Sequence, residues 1–416
     1  MIFTQEVRAH WKTVSKTCFR YIFSYIIIYL ILIFISSFIE DPLRWFANNI
    51  LHWGGDFEIK QTGSGDTTHA YVTLAFNTVL AVIVGTIWTI VDRKRPSYNQ
   101  LFYWFQVVLR LTLFNFMLVY GFAKVVKGQF PDASLTRLLQ PLGDFSPMGL
   151  AWTYMGYSVA FNLFAGLAEV LGGVLVLFRK TATVGALIIM GVMIHVAMMN
   201  FTYDIPVKIF SVHLVLMALL LFLTDVKRTL NVFFRNKATK AVDYYTVTDD
   251  KTYHQVTFWI KIVVMVVLSG LLFFGTTARL EGRNDQKMEK PFYGIWEAKQ
   301  FIKNGDTIPT LVTDDHRWRY LILEKKTSAK IKLMTDSITN YNLEIEKETQ
   351  TFKLYKEQTD SLPPNLKYTF INEALLELKG TLDTDSLEIL LFRIDEQEFE
   401  LKKRGFNWVN EYPRNL

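Results

Sequence analysis

The chain has 416 residues, half of them hydrophobic, and a positive mean hydropathy of +0.18, which argues against a water-soluble globular protein of this length. A single cysteine, Cys18, excludes a disulfide, a CxxC redox pair or a thiolate metal cage within the chain. The net charge of +6 is uneven: residues 1–280 carry +9 and the remainder −3, so the positive excess belongs to the apolar part and nucleic acid is not the expected partner.

Apolar blocks near 20–39, 71–91, 101–123, 153–178, 182–200, 207–224 and 256–277 are continuous rather than alternating. A hydrocarbon core of ~30 Å takes ~20 helical residues to cross, and there only helices or closed barrels satisfy the backbone. About seven transmembrane helices are therefore predicted. Phe19 to Ile39 has too long an apolar core and too extended a basic leader for a cleaved signal peptide, and no small-residue cleavage site follows. Lys and Arg fall mainly in one set of loops: Arg8, Lys12, Lys16 and Arg20; Arg93, Lys94 and Arg95; Arg179 and Lys180; then Lys227, Arg228, Arg235, Lys237, Lys240 and Lys251. The bias is about fifteen against about six and predicts a cytoplasmic N-terminus. An odd number of spans puts the C-terminal part on the periplasmic side of a bacterial inner membrane. On that side Asp41-Pro42 followed by Leu43, Phe46, Ile50 and Leu51 predicts a short amphipathic helix, and Asp132 to Leu142 looks similar. Both would lie on the outer surface or act as lids over a cavity.

The fourth span carries Ser158, Asn162, Gly166, Glu169 and Gly173 on one helical face. Small residues there permit close helix approach. Arg110 and Glu169 each lie about nine residues from their cytoplasmic ends, ~14 Å deep at 1.5 Å per residue. Equal depth on consecutive antiparallel helices predicts a buried ion pair, which either fixes packing or forms a polar site for a lipophilic head group or a proton. Nearer the outer face, His195 and His213 flank a turn containing Asn200 and Asp204. Their spacing matches no metal motif, so no metal is assigned, and the group is expected to line the outer mouth of a polar pocket.

Val108-Leu109-Arg110-Leu111 leading to Tyr120-Gly121-Phe122-Ala123-Lys124 resembles the first helix of DoxX-like membrane proteins, where an arginine precedes a glycine and a lysine at the outer end. Glu169-Val170-Leu171-Gly172-Gly173 and its leucine run resemble that family's second helix, and the basic turn Arg179-Lys180-Thr181-Ala182-Thr183 leads to a third. The resemblance covers about residues 101–225. It implies a four-helix membrane bundle near the quinone pool, similar to the membrane subunit of thiosulfate:quinone oxidoreductase, without fixing an activity. A second resemblance is to the membrane domain of vitamin K-dependent carboxylase-like proteins, which also join helices to an outer β-rich domain, although their catalytic lysine motif has no match here.

After Thr277 the composition turns polar with alternating hydrophobicity. Trp318 to Leu323, Phe352 to Tyr355, Leu375 to Leu378, Leu387 to Phe392 and Phe399 to Leu401 predict strands. Turns are predicted at Asn304-Gly305-Asp306, Pro363-Pro364 and Asp383-Thr384-Asp385. Many short strands with turn signals predict a small antiparallel β-barrel or sandwich. Gly294-Ile295-Trp296 at its start, with Arg404 near its end, resembles the lipocalin arrangement, in which an arginine covers the tryptophan that closes the barrel base. Such a barrel can enclose one apolar ligand. Asp314-Asp315-His316 reads as a turn ahead of the Trp318 strand at least as well as an acid–base group.

Four regions follow: an N-terminal part with two spans (1–100), a DoxX-like bundle (101–225), a cytoplasmic loop with the seventh span (226–280) and a periplasmic lipocalin-like domain (281–416). The expected task is handling a lipophilic ligand, quinone or lipid, at the outer side of the membrane, with Arg110 and Glu169 at the polar core and Asn162, His195, Asn200, Asp204 and His213 around it. If the protein catalyses a reaction, it would be as a subunit of a quinone-linked oxidoreductase with no covalent cofactor. The alternative is a scaffold or assembly factor whose β domain binds a periplasmic protein.

Overall fold

A computed structural model describes residues 10–53, 63–239, 245–246, 248–356, 365–382 and 385–413. Arg8, Lys240, Pro363-Pro364 and Asp383-Thr384 lie outside them. The chain forms two compact units: residues 1–130 with 146–276, and residues 131–145 with 277–416.

The first unit is helical: α1 Thr13–Ile35, α2 Glu40–Asn49, α3 Thr68–Val91, α4 Asn99–Val125, then, beyond the 131–145 segment with its short α5 Leu135–Leu138, α6 Pro147–Tyr157, α7 Val159–Leu177, α8 Ala182–Thr202, α9 Lys208–Leu223, α10 Val226–Phe233 and α11 Lys251–Asp285, whose residues from 277 on belong to the second unit. Among the described residues six of these helices are long and apolar enough to cross a bilayer, or seven if α9 and α10, bent by 73° at Thr224-Asp225, count as one. The predicted 207–224 span is α9 alone. The bend falls where apolar sequence gives way to Lys227 and Arg228, so α10 is amphipathic. The predicted fourth span is broken at Ser158, whose hydroxyl accepts from the Phe161 amide and starts α7. Glu40–Asn49 is helical as expected, with Leu43, Phe46 and Ala47 packed on Val72 of α3.

Helix α4 packs on α7, α7 on α8, α8 on α9 and α1 on α3, around a core that includes Phe19, Leu109, Met117, Ile189 and Leu214. At the basic end the helices are pinned by a polar knot. Arg20 is buried; its Nε donates to the Tyr98 hydroxyl at 2.8 Å and its Nη2 to the Asp92 carbonyl at 2.6 Å. The Tyr98 hydroxyl donates to Asp92 Oδ2 at 2.8 Å, and this bond, chiefly, holds the Asp92 carboxyl below its ordinary range.

The second unit is a closed antiparallel barrel. Its strands are β1 Gly294–Lys303, β2 Asp306–Thr307, β3 Trp318–Lys325, β4 Ser328–Leu333, β5 Ile338–Glu346, β6 Thr351–Tyr355, β7 Asn365–Asn372, β8 Leu375–Leu382 and β9 Asp385–Ile394. Eight of them form the wall, each pairing with the next, and β1 closes on β9; two-residue β2 only extends β1. The Asn304-Gly305 turn has positive φ at both residues (53° and 89°), the backbone of a type I′ hairpin. Phe399 to Leu401 is not a strand: Phe399 precedes a short helix, α12 Glu400–Lys403, after the barrel has closed.

Trp296, Phe301, Trp318, Leu323, Phe352 and Leu391 belong to one contiguous buried cluster that occupies the interior. At one end the guanidinium of Arg317, only 2% exposed, donates to the carbonyls of Ile308, Trp318 and Ala298. Asp314 Oδ1 accepts from the amides of His316 and Arg317 at 2.8 Å each, so Asp314-Asp315-His316 is a turn, as its simpler reading held.

Trp296 is fully buried and donates from Nε1 to the Phe292 carbonyl at 2.9 Å. The arginine over it is Arg393, its register partner on β9, with Cζ 6.0 Å from the indole centroid. Arg404 was expected there but lies beyond the barrel and donates to Asn410. Register decides this: Arg393 sits directly across the β1–β9 ladder, whereas Arg404 follows α12. Gly294, at φ +148°, leaves the room; a Cβ there would lie 3.2 Å from Arg393 Nε.

Residues 131–145 pack on the outside of the barrel. Leu135 covers Ile295 and Ile322, which point out of the wall. Glu324 Oε1 accepts from the Leu135 amide, Lys330 Nζ donates to Thr136, and Lys332 Nζ donates to the Leu139 carbonyl at 2.8 Å. The segment expected as a surface helix or lid is therefore a strap on the β domain.

Two predictions follow from these contacts. Tyr98→Phe removes both hydroxyl bonds of the knot and is expected to cost about 1–3 kcal/mol, read as a lower melting temperature in detergent. Because the folded Asp92 pKa is depressed, its contribution is present above the unfolded value of ~3.9 and lost as pH falls through the folded one, so the gap between wild type and Tyr98→Phe narrows in acid. In the barrel, Arg393→Met is expected to weaken β1–β9 closure by about 1 kcal/mol and Arg404→Met to leave it unchanged, measured by hydrogen exchange on β1.

Candidate functional site

Helices α4 and α7 meet through two glycines. A Cβ on Gly121 would lie 2.9 Å from the Gly166 carbonyl oxygen, and one on Gly166 would lie 2.7 Å from the Gly121 oxygen. Both distances are below any real Cβ contact, so only glycine lets the backbones approach this closely. One helical turn from Gly121, Lys124 faces Glu169. Lys124 Nζ lies 2.9 Å from both carboxylate oxygens, and the side chains are 6% and 1% exposed. The Tyr120 ring centroid is 5.6 Å from the ammonium. An ammonium has three donors; two serve Glu169, leaving one for a further acceptor.

The pair ends a cavity of about 110 Å³ between α4, α6, α7, α8 and α9. Its walls are mostly apolar, with Phe130, Trp152, Phe161 and Met193 prominent; Tyr120, His195, Asn200 and Ser211 add polar groups. Asn200 is held by its Nδ2, which donates to Ser211 Oγ at 3.0 Å and the Val207 carbonyl at 3.3 Å. An engineered apolar cavity of ~150 Å³ accepts benzene, so this volume suits the polar end or single ring of an amphiphile.

Of the residues expected to form the site, Glu169, His195 and Asn200 do line one cavity. Arg110 does not pair with Glu169. It lies with Gln106, Arg179 and Thr224, and its Nε donates to the Gln106 carbonyl at 3.2 Å. Counting depth from the helix ends failed because the two helices are staggered: Gly121 sits level with Gly166 and Met117 with Gly173, which brings Arg179, not Glu169, to the level of Arg110. Asn162 is buried on the expected face but serves the helix break, donating to the Met155 and Ser158 carbonyls at 2.5 and 3.1 Å. Asp204 is an exposed turn residue with φ +51°, paired to Lys208 at 2.9 Å. His213 lies apart from His195: its ring stacks on Tyr29 at 3.8 Å and its Nε2 shares a 2.9 Å hydrogen bond with the Tyr25 hydroxyl. Two residues on consecutive spans at similar distance from a turn need not share a helix face. Among the described residues no three His, Cys, Asp or Glu side chains cluster to hold a metal ion.

Lys124, noted in the sequence only as the lysine at the outer end of the DoxX-like helix pattern, is the partner of Glu169 that matching by depth missed. The signal available was the four-residue spacing of Tyr120 and Lys124, with Gly121 between them, opposite the small-residue face of α7.

Over 120 residues, 29% of its length, the chain is 38% identical to the uncharacterized protein YwoB of Bacillus subtilis (strain 168), and the match spans 75% of that protein. The chain belongs to the family of that protein. No family model and no solved structure matches it.

Lys124→Met leaves a buried carboxylate without its partner and is expected to cost about 3–5 kcal/mol, whereas the double change Lys124→Met/Glu169→Leu is expected to fold at or above wild-type stability. Gly166→Ala is expected to cost roughly 1–3 kcal/mol by forcing α4 from α7. Thermal unfolding of the full chain in mild detergent measures all three.

Proposed function

We propose that this member of the YwoB family is an integral membrane protein that holds the polar end of a lipophilic molecule, a quinone or lipid, against the Lys124–Glu169 pair. The observation that carries the reading is that a costly buried ion pair borders an aromatic-walled cavity and, among the described residues, uses two of the three N–H donors of its ammonium. A carbonyl or hydroxyl oxygen of a head group would accept from Lys124 Nζ, and the aromatic wall would take its ring or first methylenes. The DoxX-like pattern of Gly121, Lys124, Glu169 and Gly173 supports the same reading, and with it a place beside the quinone pool of a bacterial inner membrane. If electrons are transferred, the partner supplies the redox centre and this chain the quinone site.

In that setting the basic loops face the cytoplasm, and the barrel faces the opposite side with the 131–145 strap that packs on it. The closed wall of the barrel and its contiguous buried cluster support a second role for that domain: a rigid surface for a protein partner.

Native mass spectrometry of protein extracted in mild detergent tests the proposal. Wild type is expected to carry a quinone or lipid adduct, and Lys124→Met/Glu169→Leu is expected to lose it at least tenfold while remaining folded. Equal adducts on both proteins would refute the site. Reporter fusions after Asn410 are expected to score as external.

A further inference from the structure

The corner between α9 and α10 is held by specific bonds. At the start of α9, the two carboxylate oxygens of Asp66 accept from the amides of Lys208 and Ile209 at 2.7 and 3.1 Å, capping the helix from a distant part of the chain. At its end, the Thr224 hydroxyl donates to the Leu221 carbonyl at 2.7 Å. Asp225 Oδ2 accepts from the Thr183 hydroxyl at 3.0 Å, which ties the corner to the first turn of α8. The Asp225 carbonyl accepts from the Thr229 amide and hydroxyl at 3.1 and 3.2 Å and starts α10. The chain turns by 73° there. Eight helical residues measure ~12 Å, of which only ~3.5 Å runs along the axis of α9 after such a turn. Helix α10 therefore does not extend the span. In a protein whose α9 crosses a bilayer, it lies close to the membrane plane.

The residues of α10 suit that place. Val226, Leu230 and Phe233 follow one another by four and three residues and share a face, with Phe234 at its edge; Lys227, Arg228 and Asn231 take the opposite face. No residue of α10 is buried. Leu230 is 38% exposed, Phe233 75% and Phe234 79%, so the described chain leaves the apolar face largely open. The helix ends before Asn236, whose φ of +47° reverses the backbone, and the Lys237 amide returns to the Asn231 carbonyl at 2.8 Å. Arg235 Nη1 donates to Asn231 Oδ1 at 3.4 Å, which draws that cation to the polar side. Residues 226–237 hold Lys227, Arg228, Arg235 and Lys237 and no acidic residue, and over 225–251 six basic residues stand against four acidic ones. A helix with aromatic and aliphatic side chains on one face and cations on the other settles where head groups meet acyl chains, and its cations attract anionic lipid.

We infer that α10 is an interfacial anchor that docks on an anionic phospholipid surface, with Leu230, Phe233 and Phe234 at the acyl boundary and Lys227, Arg228, Arg235 and Lys237 against the lipid phosphates. The inference rests on α9 being a membrane span and not on the Lys124–Glu169 site. The test uses the full chain with Cys18→Ser and one nitroxide-labelled cysteine, Leu230→Cys, Asn231→Cys or Val212→Cys, in nanodiscs of phosphatidylcholine with or without phosphatidylglycerol. Relaxation by oxygen, set against relaxation by a water-soluble nickel chelate, reads depth. With phosphatidylglycerol, the oxygen-to-nickel ratio at position 230 is expected to exceed that at 231 at least tenfold. Without it, or with Lys227→Gln/Arg228→Gln/Arg235→Gln/Lys237→Gln, the excess is expected to fall severalfold, and Phe233→Ser/Phe234→Ser is expected to abolish it. Val212, 43% exposed on α9, reports the span independently. Lipid at 212 with water at 230 would overturn the anchor alone; water at both would overturn the membrane reading with it. Position 230 shielded from both reagents would mean a protein cover, and a ratio indifferent to phosphatidylglycerol a purely apolar contact; either result overturns the inference.

Discussion

The bundle depends on one constraint: two opposite charges can sit between α4 and α7 only if the helices touch. Desolvating Lys124 and Glu169 costs several kcal/mol per ion, and only short, well-directed contacts in a low-dielectric setting offset it. The Gly121–Gly166 contact supplies those distances. The same contact fixes the stagger of the two helices, and the stagger decides which basic side chain of α4 meets the carboxylate. Arg110, which lies about four turns from Lys124 along α4, is thereby left to a separate cluster with Arg179.

Around that contact the unit deals with its remaining polar groups locally. Asn162 takes up carbonyls freed where α6 ends and α7 begins, Asn200 ties the turn between α8 and α9, and Asp66 caps α9 from afar. Each lowers the cost of an interruption in an apolar helix. The third donor of Lys124 borders a cavity. Sites that break the rule of complete internal pairing are where function is expected.

Much of this was legible in the sequence. Continuous apolar runs gave the long helices, because a helix apolar on all sides carries no polar stripe to blur the run. The Asn162–Gly173 face of α7 was readable from its four- and three-residue steps, and the barrel from alternation plus turn chemistry such as Asn304-Gly305. What failed depended on relations between distant segments. Helix stagger is set by glycine contacts rather than by distance from helix ends, so Arg110 was matched to Glu169 in place of Lys124. Rotation about a helix axis separates His195 from His213. Barrel register brings Arg393 to Trp296, although Arg404 also followed at a plausible spacing. The strap at 131–145 was invisible because Ile295 and Ile322, its seat, read as ordinary alternation within a strand.

The central claim is that Lys124, and not Arg110, is the cation that makes the Glu169 carboxylate tolerable inside the bundle. A charge exchange tests it most directly. Lys124→Glu and Glu169→Lys singly are expected to lower the melting temperature sharply, and the exchange Lys124→Glu/Glu169→Lys to recover most of the loss. Failure of that exchange, with recovery instead from Arg110→Glu/Glu169→Lys, would contradict the account.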